Sequence, residues 1–372
     1  MGLTSKKVLL LAIVATIALF TLTVWFWPRL GRRGTRAVLG RIGVLLATQL
    51  SILAAGGLTA NNYFGFYGSW ADLFGTNTDM GIVVDHGQDA SAQLHVVGSQ
   101  GVGVPGGGSP KRSGRIDKVQ IRGKTTGLGS PAYVYLPPQY FQKRHASKEF
   151  PAAVVLTGFP GTAENLITRL RYPQTATEHI EAGTMKPTIL VMMRPTVAPP
   201  RDTECVDVPE GPQTETFFTR DVRAAIGSHY RVGEKARSWG VIGNSTGGYC
   251  ALKMAMRHPQ SFSAAAALSG TYKAPLDATT GDLFGGSKQL ERENDMLWRL
   301  NHQPMPPVSV LVATSKKGEH NYKDTLTFIS KAKKPMKVSS IILKSGGHNT
   351  NTWNREVPAA LDWLSNRLSA PR

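Results

Sequence analysis

The chain has 372 residues, 41% of them hydrophobic, which is enough for one large globular domain with appended segments. Its 43 lysines and arginines outnumber its 25 aspartates and glutamates, giving a formal net charge of +18 at pH 7. This charge suits an anionic environment such as a lipid surface or an acidic cell-envelope polymer, and a solvated basic face explains it equally well. The lack of zinc-finger spacing and of an aromatic RNP-type run argues against a nucleic-acid partner, and two cysteines are too few for a disulfide-rich scaffold or a CxxC metal site.

Two uncharged apolar segments near the N-terminus, residues 8–27 and 42–58, predict membrane-spanning helices. The first is long enough to cross a bilayer, and the tryptophans at its end suit the membrane interface. Five arginines lie between the segments or at their edge: Arg29, Arg32, Arg33, Arg36 and Arg41. The positive-inside rule places this arginine loop in the cytoplasm, so we expect a protein of the cell membrane whose C-terminal domain is extracytoplasmic. A cleaved signal peptide, or a single anchor with an interfacial second segment, are the alternatives, and both also export that domain.

Residues 61–114 are predicted to connect the membrane segments to the C-terminal domain. Residues 61–79 are aromatic and neutral, which suits a juxtamembrane segment at the lipid headgroups or a small cap packed on the domain. Residues 98–114 are dominated by glycine, serine, valine and proline, which is typical of a flexible linker. We therefore expect the C-terminal domain to occupy residues 115–372.

From about residue 115 the patterns of strands and helices alternate, which predicts an α/β fold with a mostly parallel central sheet covered by helices on both faces. The predicted strands are residues 118–123, 132–136, 152–156, 188–193, 238–243, 263–268, 308–313 and 338–343. The predicted helices include residues 214–230, 249–257 and 354–368. Residues 273–304 interrupt the alternation with a polar stretch, which predicts a lid or substrate-facing insertion, with a simple surface excursion as the alternative.

The most informative motif is Gly-Asn-Ser-Thr-Gly at residues 243–247, between a predicted strand and a predicted helix. This G-x-S-x-G pattern is typical of a sharp strand-to-helix turn that exposes a nucleophilic serine, here Ser245. The two glycines fit because a Cβ at either position would collide with the neighbouring strand or helix. The N-terminus of the following helix favours negative charge that develops at the site. A plain strand-turn-helix with an incidental serine is the alternative.

A serine nucleophile needs a base and a third group that orients the base. His348 follows the last predicted strand in a glycine-containing loop, which is where this architecture supplies the base. The acid is expected after the strand 308–313, where Glu319 lies in a loop and Asp324 in the following helix. We favour Glu319, because a carboxylate on a helix surface is by default a solvated group, and Asp324 is the alternative.

The chemistry also needs two backbone N–H groups that stabilise an oxyanion. Thr246, directly after the nucleophile, supplies one. The other is expected in the turn 157–161, where Phe159 is the preferred donor and Gly158 the alternate, because Pro160 has no N–H.

Cys205 and Cys250 are the two cysteines of the chain. In an exported domain they could form one disulfide, which would tie the loop around Cys205 to the helix that follows Ser245. Two free, buried thiols are the alternative.

With these motifs in view, residues 115–370 resemble the putative-esterase branch of the α/β-hydrolases, which includes S-formylglutathione hydrolases, esterase D and the antigen 85 mycolyltransferases. The resemblance rests on five segments: residues 133–137, 157–159, 243–248, 268–270, and 346–348 followed by Trp353. The segment 202–205 and the Gly-Gly-Tyr-Cys sequence at 247–250 look like those of actinobacterial, membrane-anchored exported esterases.

The resemblance implies an α/β-hydrolase fold and an acyl-enzyme mechanism with Ser245 as nucleophile, Glu319 as acid and His348 as base, without a metal or organic cofactor. Many members place an aspartate where this chain has Glu319, and the mycolyltransferases use a glutamate in this role. The implied activity is hydrolysis of a carboxylic ester, so the expected partner is an ester or acyl-lipid substrate. Acyl transfer to a cell-envelope sugar or lipid is the alternative, followed by a non-catalytic envelope protein.

Overall fold

The structure is a computed structural model. It describes residues 3, 5–31, 34–64, 67, 70–73, 93–103, 108–199 and 201–371. Residues 74–92 and 104–107 of the predicted connection lie outside the described residues, as do Arg32 and Arg33 of the arginine loop. The chain divides into two units, Met1–Asn77 and Thr78–Arg372.

The N-terminal unit is built from helices. They are α1 (Lys6–Leu30), α2 (Thr35–Phe64) and α3 (Trp70–Leu73). The hydroxyls of Thr23 and Thr48 share a buried hydrogen bond of 2.9 Å between α1 and α2. The hydroxyl of Thr16 also donates to the carbonyl oxygen of Ser51 across the same pair of helices, at 3.0 Å. Because polar side chains bond to the partner helix, the two helices present mainly apolar side chains outward.

Two stretches of these helices are long and apolar enough to cross a membrane, Lys6–Pro28 with 23 residues and Ala37–Tyr63 with 27 residues. They contain the predicted segments 8–27 and 42–58 and extend beyond both of them. The extension arises because helical backbone continues through polar residues at the ends of an apolar run, where hydrophobicity alone marks no boundary.

The predicted juxtamembrane segment begins as a continuation of α2, which ends at Phe64. The side chain of Asn61 then holds the chain beyond the helix, because its Nδ2 donates to the carbonyl oxygen of Tyr67 at 3.1 Å and its Oδ1 accepts from the Tyr67 N–H at 2.8 Å. The short helix α3 follows.

In the C-terminal unit, nine strands of the described residues form one sheet. They are β1 (Leu94–Gly101), β2 (Arg115–Arg122), β3 (Gly129–Leu136), β4 (Ala152–Leu156), β5 (Ile189–Met193), β6 (Trp239–Asn244), β7 (Ala264–Leu268), β8 (Ser309–Ser315) and β9 (Lys337–Leu343). Their spatial order is β1-β2-β3-β5-β4-β6-β7-β8-β9. The pairs β1–β2, β2–β3 and β3–β5 are antiparallel, and every pair from β5 to β9 is parallel. The strands β4 to β7 are buried along their whole length, which explains their unbroken apolar runs.

The prediction of a flexible linker over residues 98–114 is wrong at residues 98–101. These residues belong to strand β1 and pair with β2. Of its eight residues Leu94 alone is buried, so the strand carries no alternating hydrophobic pattern. A register shift between Val96 and Gly98 interrupts the pairing further. This strand is formed by backbone hydrogen bonds to β2. Such bonds cannot be recognised from its composition, which contains glycine and serine.

Helices cover both faces of the sheet. They are α4 (Pro110–Ser113), α5 (Ala163–Thr168), α6 (Tyr172–Glu181), α7 (Thr214–Thr216), α8 (Val222–His229), α9 (Thr246–Arg257), α10 (Lys288–Glu293), α11 (Met296–His302), α12 (Tyr322–Lys331) and α13 (Thr350–Ser365). The helices α5, α6 and α13 pack on one face, and α8, α9, α11 and α12 pack on the other. A π-helical segment, Phe217–Asp221, joins α7 to α8, so the predicted helix 214–230 contains a π turn.

The predicted insertion 273–304 contains α10 and α11. Its second half is packed on the domain: Met296 is buried in the core beside α9, and the Tyr249 hydroxyl donates to the carbonyl oxygen of Asn294 at 2.7 Å. Its first half is more open, since the side chain of Leu276 is 55% exposed. The second half is therefore a fixed part of the fold.

The topology brings the predicted site residues to one edge of the sheet. Parallel strands deliver the loops that follow them to the carboxyl edge, where sites of α/β proteins form. The loops after β4, β6, β7, β8 and β9 contain, in that order, residues 157–161, Ser245, Ser269, Glu319 and His348.

Candidate active site

Ser245 lies in a strained turn between β6 and α9. Its backbone has φ +56° and ψ −125°, a conformation that costs a non-glycine residue roughly 1–3 kcal/mol. A Cβ on Gly247 would overlap the carbonyl oxygens of Leu156 and Thr157, and a Cβ on Gly243 would lie 2.8 Å from the carbonyl oxygen of Leu156. Both glycines therefore let the turn pack against the end of β4, for the steric reason expected from the sequence.

A continuous chain of hydrogen bonds runs from Ser245 to Glu319. The Nε2 atom of His348 lies 2.8 Å from Ser245 Oγ, and its Nδ1 atom lies 3.1 Å from Glu319 Oε2. The carboxylate of Glu319 is 1% exposed, whereas the imidazole of His348 is 42% exposed. The structure thus brings these three residues together, and it places Asp324 apart from them, exposed in the first turn of α12.

Close backbone packing positions the acid loop against the histidine loop. Gly318 has φ +98°, and a Cβ there would overlap the carbonyl oxygen of Gly346. The N–H of Gly346 donates to the carbonyl oxygen of Lys317 at 3.0 Å. The imidazole of His348 lies edge-on to the ring of Trp353, with the centroids 5.3 Å apart. These contacts fix the separation between the carboxylate and the imidazole.

Ser269 belongs to the site and was not predicted to do so. Its hydroxyl donates to Glu319 Oε1 at 2.8 Å, and its N–H donates to the carbonyl oxygen of Ala313 at 3.1 Å. Its φ of +51° turns the side chain toward the acid. The available signal was its position, since Leu268-Ser269-Gly270 directly follows a buried parallel strand.

The loop after β4 lies directly against Ser245. A Cβ on Gly158 would be 2.8 Å from the Cβ of Ser245. The loop is held in shape by the N–H of Gly161, which donates to the carbonyl oxygen of Gly158 at 2.8 Å. Phe159 is thus in the loop nearest to Ser245, while Thr246 is the first residue of α9. Both predicted oxyanion donors are thus close to Ser245 in the backbone, one in the adjoining loop and one directly after it in the chain.

Two buried carboxyl groups lie beside the N-terminus of α9. The hydroxyl of Thr246 donates to Glu204 Oε1 at 3.3 Å, and the Glu204 N–H donates to Asp202 Oδ1 at 3.0 Å. Burial raises the pKa of Asp202 to about 6. Burial and then the charge of Asp202 raise the pKa of Glu204 well above its ordinary value. Burial and the charge of Asp202 thus disfavour the ionised form of Glu204 next to the helix N-terminus. No group of three or more metal-ligating side chains occurs among the described residues.

Another buried carboxyl group, Glu356 of α13, lies behind the acid. Neither of its oxygens has a hydrogen-bond partner in the described part of the chain. Burial, and then the negative charge of Glu319, raise its pKa to about 8. The sequence pattern of α13 gave no indication that this glutamate faces inward.

Cys205 and Cys250 form a disulfide, with their Cα atoms 5.7 Å apart. The bond joins the loop that contains Glu204 to α9, the helix that begins after Ser245. Of the two alternatives left open by the sequence, the structure has the disulfide.

Comparison with known proteins places this site in context. A sequence model of the Esterase family, described as "Putative esterase", matches residues 124–369. An uncharacterised protein of Corynebacterium glutamicum is 25% identical in an alignment of length 279 that covers 68% of this chain and 62% of that protein. The chain thus spans less than two thirds of that relative's length.

Solved structures are similar to the C-terminal unit at low sequence identity. An S-formylglutathione hydrolase from Agrobacterium tumefaciens has a TM-score of 0.58 and 17% identity, and the match covers 74% of this chain and all (100%) of that one. A ferulic acid esterase has a TM-score of 0.56 and 19% identity, covering 68% and 98% of the two chains. FphF, a fluorophosphonate-binding serine hydrolase of Staphylococcus aureus, has a TM-score of 0.54 and 17% identity over 68% and 98%. These likenesses confirm the predicted α/β-hydrolase fold.

Proposed function

Because the chain belongs to the Esterase family and is an enzyme of the serine hydrolase class, we propose that it is a membrane-anchored esterase that hydrolyses carboxylic esters outside the cytoplasm. The family resemblance seen in the sequence is confirmed by the family match. The single observation that carries the proposed mechanism is the hydrogen-bonded chain from Glu319 through His348 to Ser245.

The proposed reaction begins at Ser245 Oγ. His348 Nε2, 2.8 Å away, takes the hydroxyl proton as the oxygen attacks the ester carbonyl carbon. Glu319 accepts a hydrogen bond from Nδ1 and stabilises the imidazolium that forms. The N–H groups of Thr246 and Phe159 donate to the carbonyl oxygen as it becomes an oxyanion.

Collapse of the tetrahedral intermediate completes acylation. The C–O bond to the alcohol breaks, and the imidazolium of His348 returns its proton to the leaving oxygen. A water molecule then loses a proton to His348 and attacks the acyl carbon of the acyl-enzyme. The bond from that carbon to Ser245 Oγ breaks, and His348 passes its proton to Oγ, which releases the acid and restores Ser245. The raised pKa of Glu204 suits this scheme, because an ionised carboxylate beside Thr246 would oppose the oxyanion.

Acyl transfer to a cell-envelope sugar or lipid remains the second candidate. It needs an acceptor hydroxyl to outcompete water at the acyl-enzyme. The imidazole of His348 is 42% exposed, so water reaches the base directly. This exposure favours hydrolysis.

The proposed location rests on three features. Two helices are long and apolar enough to serve as a membrane anchor, and the arginine-rich connection between them suits the cytoplasmic side. The disulfide between Cys205 and Cys250 suits an oxidising compartment outside the cytoplasm. Labelling of cysteines placed in the connection and in the domain, carried out on intact cells, would test on which side of the membrane each of them lies.

The activity is tested with the full chain in detergent and with 4-nitrophenyl acetate and butyrate. We expect Ser245→Ala and His348→Ala each to lower kcat by about 10⁶-fold, because each removes one member of a unit that acts together. Ser330→Ala and His302→Ala, which alter exposed side chains of α12 and α11, are the matched controls and keep full activity. A fluorophosphonate probe should label Ser245. Absence of both turnover and labelling in the wild type would overturn the proposal.

A further inference from the structure

Four exposed cationic side chains lie on the segments that hold Glu319 and His348. They are Lys316, Lys317, Lys344 and Arg355, here called the cationic rim. The first two are in the loop after β8, the third directly follows β9, and the last is on α13. The proposed mechanism uses none of them.

Strand pairing holds the lysines close together. Ser315 of β8 pairs with Leu343 of β9 in parallel register, and the N–H of Lys316 donates to the carbonyl oxygen of Leu343 at 2.9 Å. Neighbouring strands are about 4.8 Å apart. Lys316 and Lys344, the next residues on each strand, therefore leave the sheet side by side.

Further contacts attach the other two members to the histidine loop. The carbonyl oxygen of Lys317 accepts from the N–H of Gly346, and Arg355 Nη2 donates to the carbonyl oxygen of Ser345 at 2.6 Å. Gly346 and Ser345 precede His348 by two and three residues. The cationic rim is thus built on the same backbone that positions the catalytic imidazole.

Within the part of the chain that the structure describes, the positive charge of the cationic rim is not neutralised. No ion pair to any of its four members occurs among the described residues. The acid in these loops, Glu319, is 1% exposed and faces His348. Glu356, which lies near Arg355, is buried. Like charges gathered in this way repel one another, and a bound anion relieves that repulsion.

We propose that the cationic rim is an anion-binding subsite that selects esters whose acyl or alcohol part carries a carboxylate or phosphate. This inference rests on the proposed esterase function and adds the substrate class to it. The rim lies on the side of the site formed by β8 and β9, so the anionic group of a bound ester extends from the reacting carbonyl toward these strands. Its attraction also raises the local concentration of anionic substrate, an effect that falls as ionic strength rises.

The test uses two pairs of esters. Within each pair, one ester carries a carboxylate where the other carries a neutral carboxamide. The pair 4-acetoxybenzoate and 4-acetoxybenzamide places the charge on the alcohol side, and 4-nitrophenyl hydrogen suberate and its amide place it on the acyl side. The measured quantity is the ratio of kcat/KM within each pair, at low and at high salt. A substitution that changes the basicity of His348 affects both esters of a pair alike, so this effect cancels in the ratio.

The variant that tests the subsite is Lys316→Glu/Lys317→Glu. Its matched control is Lys333→Glu/Lys337→Glu, which changes the net charge equally but at the amino end of β9, about 20 Å away. We expect the first variant to lower the anionic-to-neutral ratio at least tenfold in one pair at low salt, with a smaller loss at high salt. The control should keep the ratio within twofold of the wild type.

Two outcomes separate the inference from the function on which it rests. If neutral esters are hydrolysed and the ratio is the same in all three proteins for both pairs, the subsite is wrong and the esterase stands. If neither neutral nor anionic esters are hydrolysed by the wild type, the esterase function fails first.

Discussion

The hydroxyl of Ser269 and the side chain of His348 hold the two oxygens of one carboxylate, that of Glu319. Ser269 donates to Oε1 at 2.8 Å, and His348 Nδ1 lies 3.1 Å from Oε2. A buried carboxylate with one oxygen unpaired could rotate or shift, so the serine fixes the direction in which the acid faces the imidazole. In the proposed mechanism, Ser269 is therefore a positioning residue for Glu319.

Substitution Ser269→Ala should lower kcat for 4-nitrophenyl acetate by about 10-fold to 100-fold. A hydrogen bond to a charged group contributes about 1.5–3 kcal/mol, and about 1.4 kcal/mol corresponds to a factor of ten. Because Ser269 does not touch the substrate in this scheme, KM should change little. An unchanged kcat, or a loss that is explained by unfolding in a melting experiment, would rule out the positioning role.

The identity of the acid can be tested by removing each candidate carboxylate. We expect Glu319→Gln to reduce kcat by roughly 10⁴-fold, because the neutral amide no longer stabilises the imidazolium of His348. Asp324→Asn should retain wild-type kcat, since that side chain is exposed on α12. Comparable losses in both variants would show that the hydrogen bond to His348 does not identify the acid.

Two glycine-to-alanine changes should have opposite effects on the melting temperature. Gly247→Ala places a methyl group on the carbonyl oxygens of Leu156 and Thr157, and such overpacking costs typically about 1–3 kcal/mol. Gly227→Ala, within α8, meets nothing within 4 Å and should stabilise by about 0.5–1 kcal/mol through helix propensity. Differential scanning fluorimetry distinguishes the two, and equal shifts would contradict the steric account of the turn.

Glu356 should make stability decrease as the pH rises. Its pKa in the folded chain is about 8, above the ordinary value of 4.5, so the folded state binds more protons than the unfolded state between these values. The contribution of the protonated group is complete below pH 4.5 and is lost as the pH rises through 8. Glu356→Gln should therefore melt higher than the wild type at pH 8, and its melting temperature should fall less between pH 5 and pH 8. Parallel pH profiles for the two proteins would refute this assignment.

Removal of the disulfide should destabilise the folded chain. The bond closes a loop with a sequence separation of 45, for which loop entropy predicts about 4 kcal/mol. The double variant Cys205→Ala/Cys250→Ala should melt lower than the wild type. A reducing agent should lower the melting temperature of the wild type and leave the double variant unchanged. If the reducing agent lowers the melting temperature of both proteins, its effect does not come from this disulfide.

The sequence predicted the main elements of the site because each signal was local. Ser245 follows a buried strand within a glycine pattern, and His348 follows the last strand, so a fold with parallel strands necessarily brings the two toward one edge. Ser269 also follows a buried strand, but its partner is 50 residues away in the chain. Until the position of Glu319 was known, nothing distinguished Ser269 from any other serine after a strand.

Other features escaped sequence analysis because they depend on tertiary packing. The strand β1 is formed by backbone pairing at the sheet edge, so its exposed side chains carry no strand pattern. The buried carboxyl groups of Glu204 and Glu356 lie at positions where charged residues are ordinarily exposed. Burial of such groups follows from the loop and helix that cover them, which sequence periodicity does not describe.

The order of the strands has a consequence for the growing polypeptide. The nucleophile is reached with β6, but its base arrives only with the loop after β9, the last strand to be synthesised. A nascent or prematurely terminated chain that stops before His348 contains Ser245 without the imidazole that the proposed mechanism uses as proton acceptor. Under the proposed mechanism, esterase activity therefore requires a chain that extends beyond β9 to His348.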